Sequence, residues 1–143
     1  TVYGEWGRPD MFLFKLYKAY FLNKTFFLNN SGQHKRDFTY IGDVIKFTKK
    51  LIFNKIDKKN KNLVFNICSN NPINIKKVIN FFEKKIGKVK IKNIKRNKLD
   101  VKDTHGSNLK VKKFTSLYKF TNYKEGILNS FNWYKENKIF KIK

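Results

Sequence analysis

The sequence predicts an α/β protein, in which short strands alternate with amphipathic helices. Two patterns carry this prediction. Residues 63–68 read Leu-Val-Phe-Asn-Ile-Cys, a nearly continuous apolar run typical of a strand buried on both faces of a parallel sheet. Residues 75–86 instead place apolar side chains three and four positions apart, as one face of a helix requires. A chain of 143 residues without an internal repeat indicates one domain.

The first elements are predicted from loop residues and apolar spacing. Glycines and a proline make residues 3–10 a loop, and Asp10 is expected to cap a helix over about 10–22. Residues 26–28 read as a short strand that an Asn-Asn-Ser-Gly turn ends. Residues 37–41 look extended again.

A second helix is predicted from Gly42, with an apolar face of Val44, Ile45, Thr48, Leu51 and Ile52. A polar, Lys-rich loop over 54–62 leads to the apolar run at 63–68. Asn74 suits the N-cap of a third helix, and Gly87 is expected to end it.

The last part of the chain contains one more strand and one more helix. Residues 89–94 alternate apolar and basic side chains, as a half-exposed strand does. A loop rich in Lys and Asp follows. Asn122-x-x-Glu125 matches a capping box and predicts a final helix that buries Ile127, Leu128, Phe131 and Tyr134.

The charge of the chain invites a nucleic-acid interpretation, which the composition disfavours. The formal net charge is +23, but 30 of the 33 basic residues are Lys, whereas base recognition relies heavily on Arg. Lys, Asn, Ile and Phe are all enriched and share A/T-rich codons, so a genomic bias explains the four together. We expect no nucleic-acid partner, and a basic nucleic-acid-binding domain remains the alternative from another class.

The composition also indicates where the protein is located and which cofactor and metal motifs it lacks. Without an initiator Met or a signal-peptide pattern, we expect residues upstream of Thr1. No apolar run reaches the roughly 18 residues of a membrane span, and the single Cys68, read as a core residue, fits a reducing compartment. Cytoplasm is therefore expected, with no membrane partner. The seven glycines form neither Gly-x-Gly-x-x-Gly nor a P-loop, and one Cys with two His makes no metal cluster.

Two segments could carry a binding site. Residues 3–11, Tyr-Gly-Glu-Trp-Gly-Arg-Pro-Asp-Met, place Arg8 on a rigid loop before a helix, which suits an anion. Residues 36–41, Arg-Asp-Phe-Thr-Tyr-Ile, place Arg36 where a turn meets an aromatic strand. The structural alternatives are a solvated Arg8 and a surface ion pair between Arg36 and Asp37.

These two segments resemble the YGPWGRPDM and RDFTY(I/V)DD motifs of bacterial UDP-glucuronate 4-epimerases, in the NAD-dependent epimerase/dehydratase family. Further similarity follows in order along nearly the whole chain, in VFNICSNNP at 64–72, Asp-Val at 100–101, Asp-Thr-His-Gly at 103–106, Glu-Gly at 125–126 and Phe-Asn-Trp-Tyr at 131–134. The chain departs from the family at Glu5, which replaces a Pro and suggests a looser loop. Gly42 replaces the first Asp of the DD pair.

The resemblance implies the C-terminal, substrate-binding part (residues 1–143) of an extended short-chain dehydrogenase/reductase, with 63–68 a late strand of the Rossmann sheet. The N-terminal NAD-binding portion would lie outside this chain. It also implies a homodimeric NAD-dependent enzyme that interconverts UDP-glucuronate and UDP-galacturonate through a 4-keto intermediate. Sister activities remain open, namely a UDP-glucose 4-epimerase, a dehydratase or a decarboxylase.

The resemblance also assigns binding residues within this chain. Arg36 matches the residue that grips the substrate diphosphate, and Asp100 matches an acid near the nucleotide ribose. Arg8 and Thr1 match positions that face the sugar. The catalytic Tyr-x-x-x-Lys pair is not identified, because Tyr20 and Lys24 have that spacing only within the helix after the first motif. No catalytic, cofactor-binding or metal-binding residue is therefore expected in this chain.

Overall fold

The computed structural model describes residues 1–54, 62–95 and 101–140. Its helices are α1 (Phe12–Phe21), α2 (Ile41–Phe53), α3 (Ile75–Lys85), α4 (Leu109–Thr115) and α5 (Tyr123–Glu136). Its strands are β1 (Val2–Tyr3), β2 (Phe26–Asn29), β3 (Lys35–Asp37), β4 (Thr39–Tyr40), β5 (Pro72–Asn74) and β6 (Ile91–Ile94). The structure confirms the predicted α/β class.

The strands form three two-stranded sheets. β1 lies parallel to β4 with Val2 opposite Thr39, and β2 lies parallel to β6. β3 and β5 are antiparallel, with Arg36 opposite Ile73. The pairing therefore brings the start of the chain, the Arg36 strand and the segment before α3 together.

The core lies where α1, α3 and α5 meet, and it is largely aromatic. Tyr17 of α1 is buried against Phe82 of α3 and Phe131 of α5. Burial raises the pKa of the Tyr17 phenol, and its hydroxyl pairs with Ser130 Oγ at 2.6 Å. Gly126 brings α5 close to β1, because a Cβ there would overlap the Tyr3 hydroxyl. This contact explains the glycine of the Glu-Gly element.

Several predicted helix boundaries are confirmed by their capping contacts. Asn74 Oδ1 accepts a hydrogen bond from Lys76 N at 2.8 Å, and Asn122 Oδ1 accepts one from Lys124 N at 3.0 Å. Gly87 follows α3 with a φ angle of 154°, a conformation that favours glycine. Short side-chain patterns therefore predicted these ends correctly.

The predicted cap at Asp10 is wrong. Helix α1 begins at Phe12, its N-cap position is Met11, and no side chain caps it. The Asp10 carboxylate instead binds the Arg8 guanidinium. The carboxylate that was predicted to cap the helix thus binds the guanidinium two residues before it.

The predicted apolar face of α2 is also wrong. Ile45 and Ile52 on that face are 61% and 72% exposed. The buried residues are Phe47, stacked on Phe120 with centroids 4.5 Å apart, and Asp43, whose carboxylate accepts two hydrogen bonds from Thr121. Apolar spacing alone could not show which flank of a helix with two apolar flanks packs within this chain.

The predicted strand at 63–68 forms no sheet within the described part of the chain. No strand is assigned over residues 62–69. Leu63, Phe65 and Ile67 are half-buried, whereas Val64 is 77% exposed, so the segment packs on one side only. Helix α4, in turn, lies in the stretch predicted to be a loop. The predicted loop at 54–62 falls almost entirely on residues outside the described part.

Within the described ranges, no helix is both long and apolar enough to cross a membrane.

Candidate functional site

A cavity of about 340 Å³ collects Thr1, Arg8 and Arg36, three of the residues predicted to bind substrate. They come from the chain start, the loop before α1, and β3. The charged Asp10 and Lys15 also line the cavity, and its apolar lining includes Phe12, Leu28 and Ile75. The fourth predicted residue, Asp100, lies outside the described residues. The cavity thus combines cations with an apolar wall.

Strand β3 separates Arg36 from its neighbour Asp37, because successive side chains of a strand point to opposite faces. Arg36 is half-exposed at the cavity, whereas Asp37 is only 2% exposed. Among the described residues the two side chains do not pair. The alternative interpretation of a surface ion pair between them is therefore wrong.

The Asp37 carboxylate fastens two loops to β3. Its oxygens accept hydrogen bonds from Ser69 Oγ at 2.5 Å and from the backbone N–H groups of Asn70, Asn71 and Gly106 at 3.1–3.3 Å. Buried carboxylates need such donors to offset their desolvation. Asp37 consequently holds the segment before β5 and the segment before α4 against the Arg36 strand.

The Arg36 guanidinium is anchored by backbone carbonyls. Its Nη1 donates to Lys35 O at 2.9 Å and to Lys102 O at 2.8 Å, and its Nη2 donates to Val101 O at 2.7 Å. These bonds use three of the five N–H donors of the guanidinium. Nε and the second Nη2 hydrogen have no acceptor among the described residues. Two donors of Arg36 thus remain for two oxygens of a ligand.

The loop that carries Arg8 is held at both ends. Gly4 has a φ of 139°, and a Cβ there would overlap Ile41, so this position requires glycine. The Tyr40 hydroxyl donates to Glu5 Oε1 at 2.5 Å, and Gly7 N donates to the Tyr134 hydroxyl at 2.8 Å. The Glu5 carboxylate supplies a restraint on the loop, and the expectation that the loop is looser than one with Pro at this position stays a prediction.

Arg8 forms a two-point ion pair with Asp10. Its Nε donates to Asp10 Oδ1 at 2.6 Å, and its Nη2 donates to Oδ2 at 2.9 Å. The side chains are 72% and 60% exposed. The hydrogen bond from Arg8 holds the pKa of Asp10 below its ordinary value, so Asp10 is charged at neutral pH. Arg8 is therefore already bound to a carboxylate.

Thr1 is positioned by its main chain. Its nitrogen donates to Asp37 O at 2.8 Å, and its carbonyl accepts from Thr39 N at 2.9 Å. These bonds extend the β1–β4 ladder by one residue and place Thr1 beside the Arg36 strand, where it lines the cavity.

The first 68 residues match the protein family described as the NAD dependent epimerase/dehydratase family. The similarity to known proteins runs along nearly the whole chain. An uncharacterised protein of Methanocaldococcus jannaschii is 34% identical over 96% of this chain and 41% of its own length. The UDP-glucuronate 4-epimerase of Thermodesulfobacterium geofontis is 34% identical over 96% of this chain and 42% of its own length. Residues 1–68 therefore carry part of an NAD dependent epimerase/dehydratase family domain.

A solved UDP-glucuronic acid 4-epimerase has the same fold as this chain over part of its length. The UDP-glucuronic acid 4-epimerase of Bacillus cereus, in complex with UDP-glucuronic acid and NAD, superposes with a TM-score of 0.83. It is 27% identical, and the match covers 96% of this chain and 43% of that one. The chain thus spans less than half the length of the relatives named here.

The part of the family fold described here does not fit a dinucleotide cofactor. Gly4 and Gly7 share the loop before α1, the other glycines lie in separate loops and helices, and no Gly-x-Gly-x-x-Gly turn forms among the described residues. No group of His, Cys, Asp and Glu that could hold a metal ion occurs there either. The candidate site in the described residues is therefore the cavity that Arg8 and Arg36 line.

Sequence reasoning missed Lys15, which lines the cavity, and Asp37, which supports the Arg36 strand. Lys15 is one of 30 lysines, so nothing in the sequence distinguished it. Asp37 was noticed only as a possible partner of Arg36. Its position between Arg36 and two buried residues, Phe38 and Thr39, was the available signal, because strand alternation turns Arg36 and Asp37 to opposite faces.

Proposed function

We propose that this chain forms the UDP-sugar-binding part of an NAD-dependent 4-epimerase that interconverts UDP-glucuronate and UDP-galacturonate. The observation that supports this most strongly is the single cavity that joins Thr1, Arg8 and Arg36. Arg36 binds the diphosphate, and Arg8 and Thr1 face the sugar. Asp100 is assigned to the ribose by resemblance alone.

The charges of the cavity support a diphosphate ligand. Arg8 and Asp10 neutralise each other as an ion pair. Lys15 and Arg36 then remain as two positive charges for the diphosphate. The open edge of Arg36 offers two adjacent donors, which matches the two-point recognition of phosphate oxygens by arginine. A nucleotide-sugar therefore fits the cavity better than a neutral metabolite.

The identity of the sugar is supported by the relatives. The Thermodesulfobacterium geofontis relative is a UDP-glucuronate 4-epimerase, and the Bacillus cereus structure contains UDP-glucuronic acid and NAD. The redox step of such an enzyme belongs to the nicotinamide cofactor, which this chain does not bind. The role of these residues is to bind and orient the UDP-sugar, which converts binding energy into correct placement.

The remaining properties of the whole protein belong to the same proposal. It acts in the cytoplasm as a homodimer and has no nucleic-acid partner. The composition supports the last point, since Lys accounts for nearly all of the basic residues. A DNA mobility-shift assay across a salt series tests it, with no specific shift expected.

The full-length protein tests the proposed activity. We expect purified enzyme supplied with NAD to convert UDP-glucuronate into UDP-galacturonate, with the two sugars separated by anion-exchange chromatography. UDP-glucose serves as the comparison substrate. Conversion of UDP-glucose alone would show that the enzyme is a UDP-glucose 4-epimerase instead. If the protein binds neither UDP nor either UDP-sugar, the proposed function is wrong.

A further inference from the structure

The Arg8–Asp10 pair occupies the donors that a sugar carboxylate would need. A carboxylate binds arginine best through two parallel N–H···O bonds. Asp10 already makes both of these bonds, at 2.6 and 2.9 Å, along the Nε–Nη2 edge of Arg8. The second edge of the guanidinium is partly used as well, because Nη2 also contacts Met11 Sδ at 3.5 Å. A uronate and Asp10 cannot both take the first edge.

We propose that Asp10 is a specificity-determining residue that competes with the substrate carboxylate for Arg8 and so weakens the preference for a uronate over a neutral hexose. This proposal rests on the proposed function, because it needs the sugar to face Arg8. Asp10 lines the same cavity as Arg8 and Arg36, so a uronate that reaches Arg8 also meets the charge of Asp10.

The competing contact is weak enough to be displaced. Both side chains are more than half exposed, and ion pairs between exposed side chains contribute about 0.2–1 kcal/mol. A ligand that also binds Arg36 can therefore displace Asp10 at little cost. A neutral hexose has no need to do so, and the Arg8–Asp10 pair can stay intact beside it.

A helix-capping role for Asp10 would give a different outcome, and the structure does not support it. Helix α1 starts two residues later and has no side-chain cap. Asn is as good an N-cap as Asp. The substitution Asp10→Asn therefore removes the charge and one acceptor oxygen while leaving any capping ability unchanged.

The test uses the full-length protein and titration calorimetry with UDP-glucuronate, UDP-glucose and UDP. For Asp10→Asn we expect UDP-glucuronate to bind more tightly by a factor of about 1.4 to 5, the range that corresponds to an exposed ion pair. UDP-glucose and UDP, which lack the sugar carboxylate, should gain clearly less. Glu136→Gln is the matched control, since it removes one exposed acidic charge at the end of α5.

A double-mutant cycle distinguishes competition for Arg8 from a general charge effect. In the Arg8→Ala background, Asp10→Asn should no longer change the affinity for UDP-glucuronate. An unchanged or weaker UDP-glucuronate affinity in the single variant would overturn the proposal, as would an equal gain for all three ligands. If none of the three ligands binds to the wild type, the proposed function fails, and this inference fails with it.

Discussion

At the scale of single residues, the candidate site depends on which hydrogen-bond acceptors each arginine already has. Arg36 gives three N–H groups to carbonyls and keeps two on one edge, whereas Arg8 gives one edge to Asp10. Arg36 can therefore bind a ligand without losing a contact, whereas Arg8 would first have to release Asp10. The two arginines should therefore respond differently to substitution.

For Arg36→Ala in the full-length enzyme we expect KM for both UDP-glucuronate and UDP-glucose to rise about 10- to 150-fold. A hydrogen bond to a charged group contributes roughly 1.5–3 kcal/mol, and the diphosphate is common to both substrates. Because the diphosphate does not react, kcat should change less. Steady-state kinetics measure both constants.

Two further variants control this prediction. Arg36→Lys keeps the charge but not the two-point geometry, so it should recover only part of the affinity. Lys135→Ala removes an exposed cation of α5 and should leave KM unchanged. Thermal unfolding of each variant shows whether the loss of the carbonyl contacts at 101 and 102 has affected folding. An unchanged KM for Arg36→Ala in a folded enzyme contradicts the diphosphate assignment.

The sequence identified Arg8 and Arg36 but not the residues that organise them. In a chain with 30 lysines, an arginine on a Gly-Pro loop or at a strand start is unusual, and both arginines reach the cavity. The roles of Asp10 and Asp37 could not be predicted in this way. Asp10 had two local candidates, the helix end and Arg8, and spacing alone does not decide between them. The partners of Asp37 come from residues 69–71 and 106, so they depend on chain folding.

At the scale of elements, β3 is the strand on which the site is built. One face presents Arg36 to the cavity, and the other buries Asp37 among donors from two loops. The segment at 101–106 is held from both sides, since Arg36 binds its first carbonyls and Asp37 binds Gly106 N. A substitution of Asp37 should therefore also disturb the Arg36 side of the candidate site.

For Asp37→Asn we expect the free energy of unfolding to fall by at least ~2 kcal/mol, because the amide cannot accept from all of the donors around it. An unsatisfied buried donor costs about 1–3 kcal/mol, and Asn70 N and Gly106 N share one carboxylate oxygen. KM for the UDP-sugar should also rise. Chemical denaturation and kinetics measure the two effects.

The exposed acid Glu136 provides the comparison for Asp37. Glu136→Gln should change stability by no more than about 0.5 kcal/mol, as expected for a surface substitution. If Asp37→Asn is as stable as Glu136→Gln, the Asp37 carboxylate does not hold the two loops together.

Helices with a clear apolar spacing could be predicted from the sequence, whereas a strand that depends on a pairing partner could not. Helices α1, α3 and α5 follow from apolar spacing, and α3 and α5 also from the caps Asn74 and Asn122. The run at 63–68 has the composition of a buried strand, yet a strand forms only against a neighbour. Helix α4 was missed because its seven residues lie in a stretch read as a charged loop.

At the scale of the whole molecule, this chain spans 42% of the length of the Thermodesulfobacterium geofontis relative. Several apolar side chains lie on its surface, namely Ile45 (61%), Ile52 (72%), Phe53 (75%) and Val64 (77%). Exposed apolar patches and unpaired strands favour association. The isolated chain therefore exposes apolar side chains through which it can associate.

We expect the isolated 143-residue chain to show no epimerase turnover, not to retain NAD, and to aggregate or unfold without a cooperative transition. Its glycines form no dinucleotide-binding turn. Its two Tyr-x-x-x-Lys spacings, Tyr20–Lys24 and Tyr134–Lys138, both lie after the first motif, on the side where the resemblance places no catalytic pair. A coupled assay, NAD fluorescence and thermal unfolding of the purified chain measure the three properties. Turnover above the blank, or a sharp transition of a soluble monomer, contradicts this expectation.

The most direct test of the central claim is a crystal structure of the full-length protein with UDP-glucuronate. We predict diphosphate oxygens within hydrogen-bond distance of Nε and Nη2 of Arg36, with the sugar facing Arg8 and Thr1 in the cavity between β3 and the loop before α1. A diphosphate bound elsewhere, with Arg36 still making only its carbonyl contacts, would contradict the account.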